Sequence, residues 1–286
     1  MPGYFGFEWD CARSRTARIS RRALASAAMA CVLAAAAPVS AQEKTEGYKP
    51  TVGQMGKDSV WVPTPDSLIE HMLDLAKVSD KDLLIDLGSG DGRIPIAAGK
   101  RGARAIGVEW DEKLVALSDE AAKTAGVADK VEFVRHDMFT YDISKATVMG
   151  LFMLPDQMQK LTPKFLSLKP GSRIVINTFR IPGWEPDVIE RTDSCRQWCT
   201  ALLYFVPENV EGTWSLGDGK LTLRQDFQML TGTLDRGGKS EKIEGRMRGT
   251  EITFKAGETT FTGSAEKNVL SGEMKGAQSG SWKATR

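Results

Sequence analysis

The sequence lacks three features, each of which would indicate a particular class of protein. Its 38 lysines and arginines are balanced by 37 acidic residues, and the net charge of +1 gives no bulk attraction for nucleic acid. No apolar run is a good membrane span, since residues 23–37 are too few and too rich in alanine. Cysteine is scarce, with four residues, and no other ligand cluster accompanies them, so no metal site is expected.

The N-terminus has the organisation of an export signal. Five arginines and no acid lie between residues 11 and 22, and Val39-Ser40-Ala41 forms a small-residue cleavage pattern after the alanine-rich run. Ser20-Arg21-Arg22 also resembles the bacterial twin-arginine signal, whose route carries folded proteins. We therefore predict a signal peptide over residues 1–41 and a periplasmic mature protein with no stable membrane anchor. A misassigned N-terminus would instead leave the protein in the cytoplasm.

The rest of the chain divides into three parts by composition. Residues 42–57 are rich in Lys, Glu, Gly and Gln and are predicted to be a flexible lead-in. Strands and helices alternate over residues 58–206, which predicts an α/β fold with a doubly wound, seven-stranded, mostly parallel sheet. Residues 207–286 contain short alternating runs punctuated by glycine. They predict a small all-β antiparallel barrel or sandwich of about six to eight strands, with Trp214 and Trp282 at paired ends.

A glycine-rich turn carries the clearest sign of a ligand site. It follows a predicted buried strand, Leu83–Leu87, and such a turn before a helix exposes backbone N–H groups to a ligand. Its alternating glycines are Gly88, Gly90 and Gly92. Arg93 stands where a dinucleotide fingerprint needs its third glycine, and the Gly-Lys-Ser/Thr of a Walker loop is missing. Asp86, just before the turn, suits a ligand with a cationic group.

Two further acids follow at the ends of the next predicted strands. Glu109 lies about 20 residues after Asp86, at the distance where a carboxylate accepts hydrogen bonds from ribose hydroxyls. Asp137 follows the third strand and is placed to accept from an adenine amino group, with Met138 beside the ring. Because the carboxyl ends of successive strands meet at one edge of the sheet, these residues predict a site for a cationic nucleoside.

These motifs resemble a known family. The run from Asp86 to Gly92 resembles motif I of the class I S-adenosylmethionine-dependent methyltransferases. Over about residues 58–190, the chain also resembles the small mitochondrial lysine methyltransferases that modify the ATP synthase c-subunit and the adenine nucleotide translocase. This resemblance rests on Val62-Pro63-Thr64-Pro65, Gly107-Val108-Glu109, Phe152-Met153-Leu154-Pro155 and Phe179-Arg180-Ile181-Pro182-Gly183-Trp184-Glu185-Pro186.

The resemblance implies a cofactor, a reaction and a set of site residues. The cofactor is S-adenosyl-L-methionine, and its implied ligands are Thr64, Asp86, Gly88, Gly90, Gly92, Glu109, Asp137 and Met138. The reaction is direct methyl transfer to a neutral lysine amine of a protein substrate, which depends on alignment in a partly apolar channel. The residues predicted to line that acceptor channel are Trp61, Phe152 and Trp184.

Several alternatives remain open from the residues alone. The α/β part could be a catalytically silent cofactor-binding module, or the chain an envelope binding protein that acts through its β-rich tail. Cys195 and Cys199 could form a disulfide or remain as two free thiols. Thr64 is expected to cap a helix that has Pro65 at its first position. A protein partner is expected and nucleic acid is not.

Overall fold

The computed structural model describes residues 47–286, so the predicted signal peptide lies outside the described residues. Within that range the chain forms four helices and fifteen strands. The helices are α1 (Asp66–Leu75), α2 (Arg93–Lys100), α3 (Glu112–Thr124) and α4 (Pro155–Leu166). None of the helices in this part of the chain is long and apolar enough to cross a bilayer.

Seven strands form one mixed sheet, as predicted. They are β1 (Leu83–Leu87), β2 (Arg104–Glu109), β3 (Val131–Arg135), β4 (Val148–Leu151), β5 (Arg173–Asn177), β6 (Val188–Arg191) and β7 (Thr200–Phe205). Their order is β3-β2-β1-β4-β5-β7-β6. The first five are parallel, and β7 runs antiparallel to both β5 and β6. The order reverses between β1 and β4, which is where a ligand crevice is expected in an open α/β sheet.

Apolar side chains on both faces of the sheet are covered, as in a doubly wound fold. Helices α1, α2 and α3 bury one face, in a core that includes Leu68 and Met72. The other face is covered by α4, through Met158 and Phe165, and by the segment that follows β5.

The start of α1 differs from the sequence-based expectation. Pro65 is the capping residue and Thr64 makes no cap hydrogen bond. Instead the Thr64 hydroxyl accepts from Nδ2 of the buried Asn177, at 3.3 Å. Because a buried amide needs a polar partner, Thr64 is used to join α1 to the end of β5.

The C-terminal strands close into an eight-stranded antiparallel barrel, in the order β10-β11-β12-β13-β14-β15-β8-β9. Closure comes from β15 pairing with β8, so the ends marked by Trp282 and Trp214 are adjacent as predicted. Both tryptophans are buried, and Phe254 and Phe261 stack on each other in the interior. The barrel therefore has a packed core, which is typical of small barrels. Its strands are β8 (Gly212–Leu216), β9 (Gly219–Asp226), β10 (Met229–Arg236), β11 (Lys239–Arg248), β12 (Glu251–Ala256), β13 (Thr259–Glu266), β14 (Val269–Lys275) and β15 (Gly280–Thr285).

Trp184 joins the barrel to the sheet. Its ring is only 1% exposed, stacks on Phe227 of the β9–β10 turn at 5.2 Å and meets Tyr204 of β7 edge-on at 5.4 Å. Close by, Asp187 pairs with Arg246 of the barrel. The structure therefore places Trp184 in a packing role between sheet and barrel, where its large apolar surface is removed from water.

Candidate active site

The glycine turn between β1 and α2 has the backbone that its sequence requires. Gly88, Gly90 and Gly92 all have left-handed φ angles, of 72°, 56° and 77°. Residues that carry a Cβ rarely adopt such angles. A Cβ on Gly90 would lie 2.7 Å from Nε1 of Trp61, and one on Gly92 would lie 2.5 Å from the Phe133 ring. Gly90 therefore allows the Trp61 ring to approach the turn, whereas Gly92 allows the turn to pack on β3.

A cleft lies over this turn. It is lined by seven of the predicted cofactor ligands, namely Thr64, Asp86, Gly88, Gly90, Glu109, Asp137 and Met138. The acceptor candidates Trp61 and Phe152 line it too. Gly92 and Trp184 do not line the cleft, since the first packs against Phe133 and the second lies at the barrel.

Asp86 is the most perturbed acid of the cleft. Its side chain is buried, and burial raises the pKa of Asp86 well above its ordinary value, with further increases from the charges of Glu109 and Asp91. The nearby Arg93 offers no compensation, because its guanidinium binds Asp91 and the Thr64 carbonyl. A buried carboxylate in this position favours a ligand that brings positive charge.

Glu109 supports the glycine turn from the end of β2. Its carboxylate accepts from three backbone N–H groups, those of Gly90 at 3.0 Å, Trp110 at 2.7 Å and Asp111 at 2.9 Å. These charge-assisted bonds fix the orientation of the side chain at the mouth of the cleft. The residue therefore shapes the turn and presents an acceptor where ribose hydroxyls are expected.

Asp137 is already paired, with a residue that the sequence did not indicate. Its Oδ2 lies 2.5 Å from Nζ of Lys57, and this hydrogen bond is the main reason why the pKa of Asp137 is lowered. The same ammonium lies 4.0 Å from the ring centroid of Trp110, within cation–π range. Lys57 thus covers the part of the cleft that Asp137 and Met138 mark for adenine.

Lys57 lies at the tip of a hairpin loop, residues 53–61, that crosses the cleft. Gly53 donates to Trp61 and Trp61 to Gln54, both at 2.9 Å. Gln157 of α4 donates to the Asp58 carbonyl and ties the tip down. Residues 53–57 belong to the stretch 42–57 that is predicted to be a flexible lead-in, but they form an ordered loop over the cleft. Hydrogen bonds and the Lys57–Asp137 ion pair hold this loop in place, which its polar composition alone does not predict.

Replacement of Lys57 by methionine is expected to accelerate cofactor association and to weaken its dependence on salt. The ion pair with Asp137 must break before an adenine ring can use that carboxylate, and a partly exposed pair of this kind corresponds to about a two- to fivefold effect. Stopped-flow fluorescence at two ionic strengths measures the rate. Lys130→Met, an exposed lysine before β3, is the matched control. An unchanged or slower association would contradict this role of Lys57.

An aromatic cluster continues the cleft on its acceptor side. Phe152, at the end of β4, lies 6.1 Å from Phe179 and 5.8 Å from Trp198, measured between ring centroids.

The loop that carries Trp198 contains a disulfide between Cys195 and Cys199, so of the two alternatives for these cysteines the structure has the disulfide and not the free thiols. The sequence analysis did not place Trp198 beside Phe152; the only signal was a tryptophan inside a short loop between two cysteines.

Comparisons with known proteins agree with this geometry. A family model described as the ANTKMT methyltransferase domain matches residues 86–188. The chain is 37% identical over 152 residues to a protein-lysine N-methyltransferase of Saccharolobus islandicus, covering 52% of this chain and 94% of that protein. It is 34% identical over 128 residues to the ATP synthase c-subunit lysine N-methyltransferase of Mus musculus. That match covers 44% of this chain and about half, 51%, of the mouse protein.

Among solved structures, the chain is similar to an RNA methyltransferase from Salinibacter ruber in complex with S-adenosyl-L-homocysteine. The identity is 44%, over 52% of this chain and 96% of that one, with a TM-score of 0.49. The family model ends before the barrel begins, so the barrel lies outside the matched domain.

The sheet order, the glycine turn and the acidic cleft define a class I methyltransferase with S-adenosyl-L-methionine as its cofactor. Within that class, the chain belongs to the protein-lysine N-methyltransferase family represented by the Saccharolobus islandicus protein. The donor set fits the cofactor, since buried Asp86 suits its cationic part and Glu109 and Asp137 suit its adenosine.

Proposed function

We propose that this chain methylates the side-chain amine of lysine residues in a protein substrate exposed to the periplasm. The observation that carries the proposal is the aromatic cluster beside the cofactor cleft, in which Phe152 belongs to both. An apolar, aromatic entrance fits a long alkyl chain that ends in an amine. Membership of the protein-lysine N-methyltransferase family supports the same acceptor.

The bound cofactor would supply a sulfonium-activated methyl group for transfer to the amine nitrogen, and an amine that arrives as an ammonium group would first release its proton to water. The chain's own contribution is placement. Asp86, Glu109 and Asp137 would hold the cofactor from three strand ends, and Trp61 with Phe152 would exclude water from the reacting centre.

The acceptor class can be tested by methyl transfer from radiolabelled S-adenosyl-L-methionine to bacterial envelope and cytosolic extracts. We expect label that protease removes, that ribonuclease leaves in place, and that amino-acid analysis identifies as methyllysine. Asp86→Ala should lose both cofactor binding and transfer, whereas Glu112→Gln, an exposed residue of α3, should retain both. Label that ribonuclease removes, or that resides on another amino acid, would overturn the proposed acceptor.

The periplasmic location is a second part of the proposal. The export pattern over residues 1–41 and the disulfide between Cys195 and Cys199 both support it, because disulfides persist in oxidising compartments. Mass spectrometry of the protein from fractionated cells should find a mature N-terminus at Gln42 in the periplasm. Intact residues 1–41 in the cytosolic fraction would contradict export.

A further inference from the structure

Three aromatic rings form a continuous apolar wall that is only partly used by the cofactor cleft. Besides its contacts with Phe152, Phe179 lies 5.3 Å from Trp198, so each ring touches the other two. Phe152 lines the cleft, whereas Phe179 and Trp198 lie outside it. Trp198 is 38% exposed. The wall therefore leads from solvent to the place where methyl transfer is expected.

The backbone at this wall is held in unusual conformations. Among residues 47–286, five residues other than glycine have left-handed φ angles, and Thr178 and Trp198 are two of them, at 62° and 59°. Thr178 donates its N–H to the Thr200 carbonyl at 2.7 Å, which connects the Phe179 segment to β7. Strained residues of this kind concentrate at functional sites, where surrounding contacts impose them.

The position of Trp198 depends on the loop that carries it. The Cys195–Cys199 disulfide closes this loop between β6 and β7. Cys199 is buried, and its carbonyl accepts from the Thr192 N–H at 2.9 Å. A short crosslinked loop removes much of the freedom that an exposed tryptophan would otherwise have. The crosslink thus holds a large indole against Phe152 and Phe179.

We propose that this wall is the binding site for the alkylammonium end of the acceptor side chain, and that Trp198 is its selectivity-determining residue. The inference rests on the proposed lysine acceptor and adds where the side chain binds. Aromatic faces attract alkylammonium groups, and tryptophan does so most strongly. The aliphatic stem of lysine packs on the same apolar rings. Trp198 would thus act on the acceptor and not on the cofactor.

Steady-state kinetics of Trp198→Ala separates these two roles. We expect the KM for the protein substrate found by the extract labelling to rise by about tenfold, as when an aromatic residue that is covered on binding is truncated. The dissociation constant for S-adenosyl-L-homocysteine should stay within about twofold of wild type. Trp198→Phe should recover most of the acceptor affinity, since the aromatic face is kept. Met229→Ala, which truncates an exposed apolar residue on the barrel, should change neither constant.

A second variant tests the loop without removing the ring. Cys195→Ser combined with Cys199→Ser leaves Trp198 in place but frees the loop, so the acceptor KM should rise while cofactor affinity is kept. Cofactor binding reports that this variant is folded. An unchanged acceptor KM in both Trp198→Ala and the double serine variant would overturn the inference.

Butyltrimethylammonium resembles the end of a lysine side chain and its binding can be measured without methyl transfer. It therefore tests the proposed acceptor site separately from the proposed function. Calorimetric titration of the full chain saturated with S-adenosyl-L-homocysteine should show binding that Trp198→Ala abolishes. Such binding in a chain that methylates no protein would uphold the site and overturn the proposed function. Methylation of lysine with no Trp198-dependent probe binding would uphold the function and overturn the site.

Discussion

Replacement of Asp86 by asparagine is expected to abolish detectable binding of S-adenosyl-L-methionine. The side chain is buried at the end of β1, and Glu109 and Asp91 add negative charge around it. Loss of one partner of a buried charge pair costs about 2–5 kcal/mol. Isothermal titration calorimetry measures the loss, and Asp129→Asn, an exposed acid after α3, provides the control. Wild-type affinity in the Asp86 variant would rule out this carboxylate as a cofactor ligand.

The same substitution should stabilise the ligand-free protein. Because the folded state raises the pKa of Asp86, stability is lost as pH rises from the ordinary value near 3.8 through the raised value. Asparagine has no charge to bury. The melting temperature of the Asp86→Asn variant should therefore exceed that of wild type at pH values above this window, and the two should be more similar at pH values below it. Each kcal/mol gained corresponds to about 2–4 °C. A lower melting temperature at neutral pH would contradict this account.

Replacement of Glu109 by glutamine is expected to weaken cofactor binding and also to destabilise the glycine turn. The carboxylate accepts from the N–H groups of Gly90, Trp110 and Asp111. A glutamine amide turns one of these oxygens into a donor, which then faces a donor. Hydrogen bonds to a charged group contribute about 1.5–3 kcal/mol, so we expect a loss of roughly 10- to 150-fold in affinity.

The direction of the stability change separates the two acids. Glu109→Gln should lower the melting temperature, whereas Asp86→Asn should raise it. Glu112→Gln is the matched control, because its exposed carboxylate contacts Arg135 and no part of the turn. Differential scanning fluorimetry with and without cofactor gives both readouts, and a melting temperature above wild type for the Glu109 variant would contradict its supporting role.

The cofactor half of the cleft could be predicted because its determinants are local in sequence. The left-handed turn demands glycine at Gly88, Gly90 and Gly92, and Asp86 and Glu109 each end a strand whose apolar pattern is readable. The doubly wound, seven-stranded sheet could be predicted because alternating strands and helices allow few topologies.

The remaining features depend on contacts between segments far apart in the chain. Lys57 reaches Asp137 across 80 residues, and its polar surroundings in sequence predict only flexibility. Trp184 looks equally suited to a channel or to a core until Phe227 of the barrel is seen to cover it. Trp198 lies in a loop that is closed by the Cys195–Cys199 disulfide, and its ring partners Phe152 and Phe179 come from other segments. No periodicity or local motif encodes such partners.

The closure of the barrel has a consequence for the order of events during synthesis. The seam between β8 and β15 joins the first and last strands of the module, so the barrel cannot close on the ribosome until β15 has emerged. The methyltransferase sheet, complete at Phe205, can form earlier. Until Phe227 has been synthesised, Trp184 lacks the barrel ring that stacks on it. A nascent chain stalled before that residue would hold a formed cofactor cleft beside a tryptophan without this cover.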